Sequence, residues 1–200
     1  MSNIQYGLIS RVDSDTMEKT FDLIHEQFPD EIINYLEIGL YHGRSTSGVK
    51  TYFDSKGYKY NLTGIDNFKD KEELVFLPTG VNLIEGSSIE VYNQLEDNSQ
   101  HFILIDGNHA FPYDVADFFC YKDKVKKNGY ICFHDASPQT QGKSYQRMGS
   151  ESDPDMHIAV MRALKEIGLL DNKINGWVNI FHEWDVYDEG GGVMIFKKTI

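Results

Sequence analysis

Four times along this chain a short, almost unbroken apolar run ends against a polar cluster. Ile32–Ile38 meets Gly39, with Glu37 inside the run; Tyr60–Ile65 meets Asp66 and Asn67; His101–Ile105 meets Asp106; and Tyr130–Phe133 meets His134 and Asp135. Short apolar runs without strict alternation are strands buried on both faces. Stretches with helical spacing separate them, which implies parallel strands with helices over both faces of the sheet. One carboxylate at a strand end is commonly a helix cap or a solvated turn. Four polar clusters at strand ends are hard to ascribe to caps or packing, and in an open parallel sheet that edge is where ligands bind.

The rest of the pattern fills in this frame. A helix is expected over Asp13–Phe28, capped at Asp13 or Ser14, and another from Arg44 to Ser55, ended by Gly57. Val81–Glu85 reads as a strand and Ile89–Leu95 as a helix. Tyr113–Lys126 reads as a helix with Val115, Phe118, Phe119 and Val125 on one face. A polar linker, 136–154, has no periodicity; a helix over Asp155–Leu170 follows, with Val160, Ala163, Leu164 and Ile167 at core spacing. Trp177–Phe181 and Val193–Phe196 close the chain as an antiparallel pair. The fold class is α/β: a Rossmann-like three-layer sandwich around a mostly parallel sheet of about seven strands, in one domain over 1–200.

Charge and composition exclude several functions. With 31 acidic against 19 basic residues, a net charge of −12 repels phosphate backbones, so nucleic acid is not an expected partner. No apolar stretch approaches the roughly 20 residues of a membrane helix, and the N-terminal residues lack the pattern of a signal peptide. Cys120 and Cys132 sit in apolar runs rather than in a C-x-x-C pair, as buried thiols of a reducing cytoplasm would. A cytoplasmic location and a small-molecule partner fit best, and a homodimer is compatible.

The chemistry concentrates at Tyr35–Ser47, where Gly39 and Gly43 stand four residues apart between a strand and a helix start. Such a turn lets a ligand approach bare backbone and meet the free N–H groups of the helix. No third glycine completes the G-x-G-x-x-G dinucleotide pattern. Asp66, ending the second strand, stands where a nucleoside's ribose would sit, with Asn67 and Phe68 beside it for an adenine. Ser45 is placed to hold a small carboxylate, and Gly86-Ser-Ser88 to bond the base. A nucleoside plus an amino-acid carboxylate describes S-adenosylmethionine better than NAD.

The ordered set Leu36–Ser45, Gly64–Asp66, Gly86–Ser88, Ile105–His109 and Gly129–Asp135 resembles the class I S-adenosylmethionine-dependent methyltransferases, and within them the small catechol- and macrocin-type O-methyltransferases. The likeness spans residues 33–135. It implies that Glu37, Gly39 and Gly43 shape the cofactor turn, that Tyr41 lies near the sulfonium, and that Ser45 takes the methionine carboxylate. It also implies that Asp66 holds the ribose and Ser88 lies near the adenine. In metal-dependent relatives, the acids in the positions of Asp106 and Asp135 share a divalent cation. Where catechol-type enzymes carry a catalytic lysine, this chain has His109, whose ordinary pKa suits a general base.

Relatives that bind magnesium usually follow the second acid with Asn or Asp, and here Ala136 stands there. His134, Asn108 or a water would have to complete the set. Two carboxylates suffice for magnesium, whereas nearby imidazoles suit manganese, iron or zinc. Read from sequence, the chain is an O-methyltransferase acting on a hydroxyl of a sugar, antibiotic precursor or phenol. His109 is the base, Asp106 reaches both cofactor and cation, and 136–154 forms an acceptor loop or lid. The alternatives are a non-catalytic methyltransferase-like binding protein and another nucleotide-dependent enzyme on the same fold. His109 as a cap for the following helix and His134 as a loop anchor also remain open.

Overall fold

The computed structural model describes residues 11–68, 76–136, 156–183 and 192–200. The expected linker, including Lys143, Tyr145 and Arg147, lies almost wholly outside the described residues, as do Trp184 and Tyr187. Among the described residues, seven strands form one sheet in the order β3-β2-β1-β4-β5-β7-β6. They are β1 Ile33–Ile38, β2 Tyr60–Asp66, β3 Asn82–Glu85, β4 Gln100–Ile105, β5 Val125–Phe133, β6 Trp177–Glu183 and β7 Val193–Lys198. The first five are parallel; β7 runs antiparallel to both β5 and β6. The sheet is the expected one, closing pair included. Among the described residues, no helix is long and apolar enough to cross a membrane.

The side chains alternate across the sheet. From β1, Ile33 and Tyr35 join Met17, Phe21 and Ile24 of α1 (Arg11–Gln27) and Val49, Tyr52 and Phe53 of α2 (Arg44–Lys56). Leu36 and Ile38 face the other way, toward Phe118 and Tyr121 of α4 (Phe111–Tyr121) and Val160, Leu164 and Ile167 of α5 (Met156–Ile167). This parity fixes the site as well, because Glu37 projects on the α1/α2 face beside Tyr35. The α2 helix starts after Gly43 and stops at Gly57, both left-handed at φ 76 and 70.

Three expectations are corrected. The fourth helix stops at Tyr121 rather than Lys126, and Val125 opens β5 instead of lining the helix. The polar run Lys126–Gly129 hides this, because β5 takes an irregular register there, with Asn128 at φ 67. Phe119 does not face the core either: it is 49% exposed, and the buried stripe is Asp114, Asp117, Phe118 and Tyr121. Asp13 does not cap α1 from its start but lies within the helix, fully buried, accepting a hydrogen bond from the Gly192 N–H at 3.1 Å. Cys132 is buried as expected; Cys120 is only partly so.

Candidate active site

Strand order reverses between β1 and β4, and the carboxyl ends of β1, β2, β4 and β5 gather around that point. Gly39 anchors the gathering. It has φ 86, and a Cβ placed on it would overlap the carbonyl of Asp106, so only glycine allows β1 and β4 to end this close together. Asp66 organises the turn from the other side. Its Oδ2 accepts the N–H groups of Leu40 (2.8 Å) and Tyr41 (3.2 Å), and its Oδ1 accepts that of Phe68 (3.0 Å). Tyr41 is held at φ 45 with its ring 53% exposed, and Asn67 is exposed beside Asp66.

Glu37 is the buried hub of the turn. Its carboxylate accepts the hydroxyls of Tyr35 (2.8 Å), Thr46 (2.6 Å) and Ser45. Burial raises its pKa to about 7; the charge of Asp106 adds to the rise and the hydroxyl hydrogen bonds oppose it. The Ser45 hydroxyl, expected to meet a ligand carboxylate, is thus turned inward. The start of α2 has no side-chain cap, so its first N–H groups are what this turn offers an anion.

At the β4 and β5 ends, four side chains converge. His134 Nδ1 lies 2.9 Å from Asp106 Oδ1 and 3.5 Å from Asp135 Oδ2, while His109 Nε2 lies 3.2 Å from Asp135 Oδ2 and 3.5 Å from Asp106 Oδ1. Burial alone would lower the pKa of His134, but the two carboxylates overcome it and hold the imidazole well above its usual range. Asp13 approaches His134 Nε2 from behind at 3.9 Å. His134 does not anchor a loop through backbone, and His109 does not cap α4. Ala110 is the N-cap residue, and its N–H is met by Asn108 Oδ1 at 3.1 Å.

Ligand atoms of Asp106, His134 and Asp135 lie within 4.8 Å of one another, a spacing that one cation could bridge. The donor set fits a divalent metal: two carboxylate oxygens and one imidazole, largely sheltered, suit manganese, zinc or iron more than magnesium. Ala136 adds no ligand; its carbonyl bonds to His182 Nε2 at 3.0 Å and its N–H to Gly192.

Ser88 occupies the last expected position, at the start of the short helix α3 (Ser88–Val91). Its hydroxyl is donated to Asp117 Oδ1 at 2.5 Å, and its carbonyl accepts the Tyr121 hydroxyl at 2.8 Å. Asp117 and its neighbour Asp114 are both buried, and burial raises both pKa values, that of Asp117 to about 6. These two acids, Asp13 and Thr46 are the site residues that sequence reasoning missed. The acids carry a weak signal, an i, i+3 pair on one helix, which ordinarily marks a solvated face.

Such a fold, with glycine turn, strand-end acids and an anion-ready helix start around the switch point, defines a class I S-adenosylmethionine-dependent methyltransferase. Residues 36–136 match the model of a family described as a methyltransferase domain, and the chain belongs to that family. No curated protein matches the sequence.

Solved structures share the fold. A provisionally named caffeoyl-CoA O-methyltransferase from Staphylococcus aureus is 18% identical with a TM-score of 0.67, over 96% of this chain and 86% of that one. A provisionally named O-methyltransferase from Klebsiella pneumoniae is 15% identical with a TM-score of 0.63, over 98% and 85%. The TDP-rhamnose 3'-O-methyltransferase of calicheamicin biosynthesis is 15% identical with a TM-score of 0.55, over 93% and 80%.

Proposed function

We propose that this methyltransferase is a cytoplasmic enzyme that acts on a hydroxyl oxygen of a small molecule. The observation that carries the reading is the imidazole of His109 set against Asp135 and Asp106 at the strand ends. With Nε2–H directed at Asp135, the basic lone pair is on Nδ1, which is buried without a hydrogen-bond partner. That nitrogen is sealed in the unliganded site, so an acceptor must open access to it before giving up its proton; Asp135 then stabilises the imidazolium that results, the logic of a carboxylate–histidine pair. The acceptor is a phenol, a sugar hydroxyl or an antibiotic precursor, in keeping with neighbours named for caffeoyl-CoA and TDP-rhamnose.

S-adenosylmethionine, when bound, supplies an electrophilic methyl group. On this reading the N–H groups at the start of α2 hold its carboxylate, Asp66 accepts from the ribose, Ser88 meets the adenine and Tyr41 flanks the sulfonium. The protein's contribution is largely alignment of methyl, acceptor oxygen and base. Asp106, Asp135 and His134 would hold a divalent cation, which lowers the pKa of a hydroxyl bound to it.

A second, metal-free reading has its own observation. His134, protonated between Asp106 and Asp135, offsets one of their two negative charges without a metal. One experiment addresses both readings. Melting curves with S-adenosylhomocysteine, NAD and ATP, each with and without Mn²⁺ or Mg²⁺, are followed by methyl transfer from labelled S-adenosylmethionine to panels of phenols and sugars. Stabilisation by NAD but not S-adenosylhomocysteine would defeat the assignment. Full transfer in chelator would favour the metal-free form.

A further inference from the structure

The α4 helix turns carboxyl groups toward the sheet although an apolar stripe was available. Phe119 is left exposed while Asp114 and Asp117 are buried, at 1% and 2% exposure. Burying a carboxylate with no cation against it costs several kcal/mol, so packing does not account for Asp117. What Asp117 touches is Ser88, whose hydroxyl it accepts, while Tyr121 one turn on binds the Ser88 carbonyl. One face of α4 therefore fixes Ser88 through both its side chain and its backbone.

A serine hydroxyl has one proton and two lone pairs. With its proton given to Asp117, Ser88 Oγ offers any other group only an acceptor. The turn that carries it is tied to the Asp66 turn, because the Gly86 N–H donates to the Asp66 carbonyl at 2.9 Å.

We propose that Asp117 is a positioning residue that holds Ser88 as a hydrogen-bond acceptor for the exocyclic amine of the cofactor's base, making the site selective for a 6-aminopurine over a 6-oxopurine. The inference rests on the reading that Ser88 faces the adenine. Adenine presents an N–H₂ group at C6; hypoxanthine presents an oxygen there. Against an acceptor-only Ser88, that oxygen sets lone pair against lone pair, with the Asp117 carboxylate directly behind. A serine free to rotate would donate to the oxygen and accept from the amine equally well. The discrimination therefore resides in Asp117 and not in Ser88 alone.

Calorimetric titration of the full chain with S-adenosylhomocysteine and S-inosylhomocysteine tests this. Wild type is expected to prefer the adenosyl ligand by about 10²-fold, since a site built to bond one group rejects an analogue that leaves its buried polar atoms unpaired. Asp117→Asn, whose amide can donate to Ser88 and free its proton, should bring the ratio to within about fivefold, chiefly by tighter binding of the inosyl ligand. A gain for the wrong ligand is something a merely structural role would not produce. Ser88→Ala should lose the preference through weaker adenosyl binding, and Asp117→Ala, which also leaves the Ser88 hydroxyl free to rotate, carries the test if the Asn variant fails to fold. Equal wild-type binding of both ligands, or a wild-type ratio once Asp117 is replaced, would overturn the proposal. No binding of either ligand would overturn the cofactor reading itself.

Discussion

The carbonyl oxygen of Asp106 occupies the space that a side chain on Gly39 would need. This contact joins the ends of β1 and β4, the two strands between which the sheet reverses, so it sets the spacing between the cofactor turn and the acid cluster.

Gly39→Ala should therefore do more than introduce an unfavourable φ. A left-handed alanine costs about 1–2 kcal/mol, and overpacking against backbone adds about 1–3 kcal/mol. Gly57 supplies the control, with φ 70 but nothing within 4 Å of its added Cβ, so Gly57→Ala should show only the first cost. Urea denaturation of the two variants separates them. Equal losses would mean that the β1 and β4 ends can part without penalty.

Glu37 makes stability fall as pH rises. Its pKa is raised to about 7 from an ordinary 4.5, so the folded state binds a proton that the unfolded state has released between those values. The favourable term is complete below about pH 4.5 and lost by about pH 7, a change of about 3 kcal/mol. Asp117 and His134, also raised, act in the same direction, so the wild-type slope alone does not isolate Glu37. The difference between wild type and Glu37→Gln should. Denaturation midpoints at pH 5 and pH 8 ought to differ less in the variant, and an unchanged difference would remove Glu37 from the account.

Much of this molecule is legible in its sequence, and the exceptions share a cause. Apolar runs ending on acids mark β1, β4 and the end of β5 because burial on both faces favours a nearly unbroken apolar composition, whereas β2 and β3, toward the sheet edge, are more exposed. Asp106, His109, His134 and Asp135 are visible for the same reason, standing where an apolar run stops. Asp13, Asp114 and Asp117 are not, because an acid inside an amphipathic helix normally marks the solvent face, and only tertiary packing turns these inward. The limits of β5 escape in the same way: a polar Lys126–Gly129 belongs to a strand only because β4 pairs with its start. The inward turn of the Ser45 hydroxyl escapes too, since sequence spacing cannot reveal that Glu37, eight residues earlier, lies close enough to accept it.

If a cation sits among Asp106, Asp135 and His134, manganese should raise the melting temperature, by an amount that grows with the logarithm of its concentration above Kd. Asp135→Asn should abolish that rise. Without metal, the same substitution removes one of the two carboxylates that hold His134 protonated, so the imidazole should titrate nearer its ordinary range by NMR. A wild-type melting point indifferent to manganese and chelator alike would leave only the metal-free cluster.

His109→Ala separates chemistry from support. The histidine makes no capping contact, since Asn108 meets the Ala110 N–H and Pro112 stands in the first turn of α4. Removing a general base typically costs ~10²–10⁴ in rate, so turnover should fall by about that factor once an acceptor is found, with affinity for S-adenosylhomocysteine nearly unchanged. Its two carboxylate neighbours lose one electrostatic partner but keep His134, which limits the effect on stability. Asn108→Ala is the complementary variant: without its side-chain bond to the Ala110 N–H, about 1 kcal/mol of stability should be lost with turnover largely kept. Turnover and melting temperature measured on both variants decide the roles, and a His109 variant that methylates at the wild-type rate would return the proton to another acceptor.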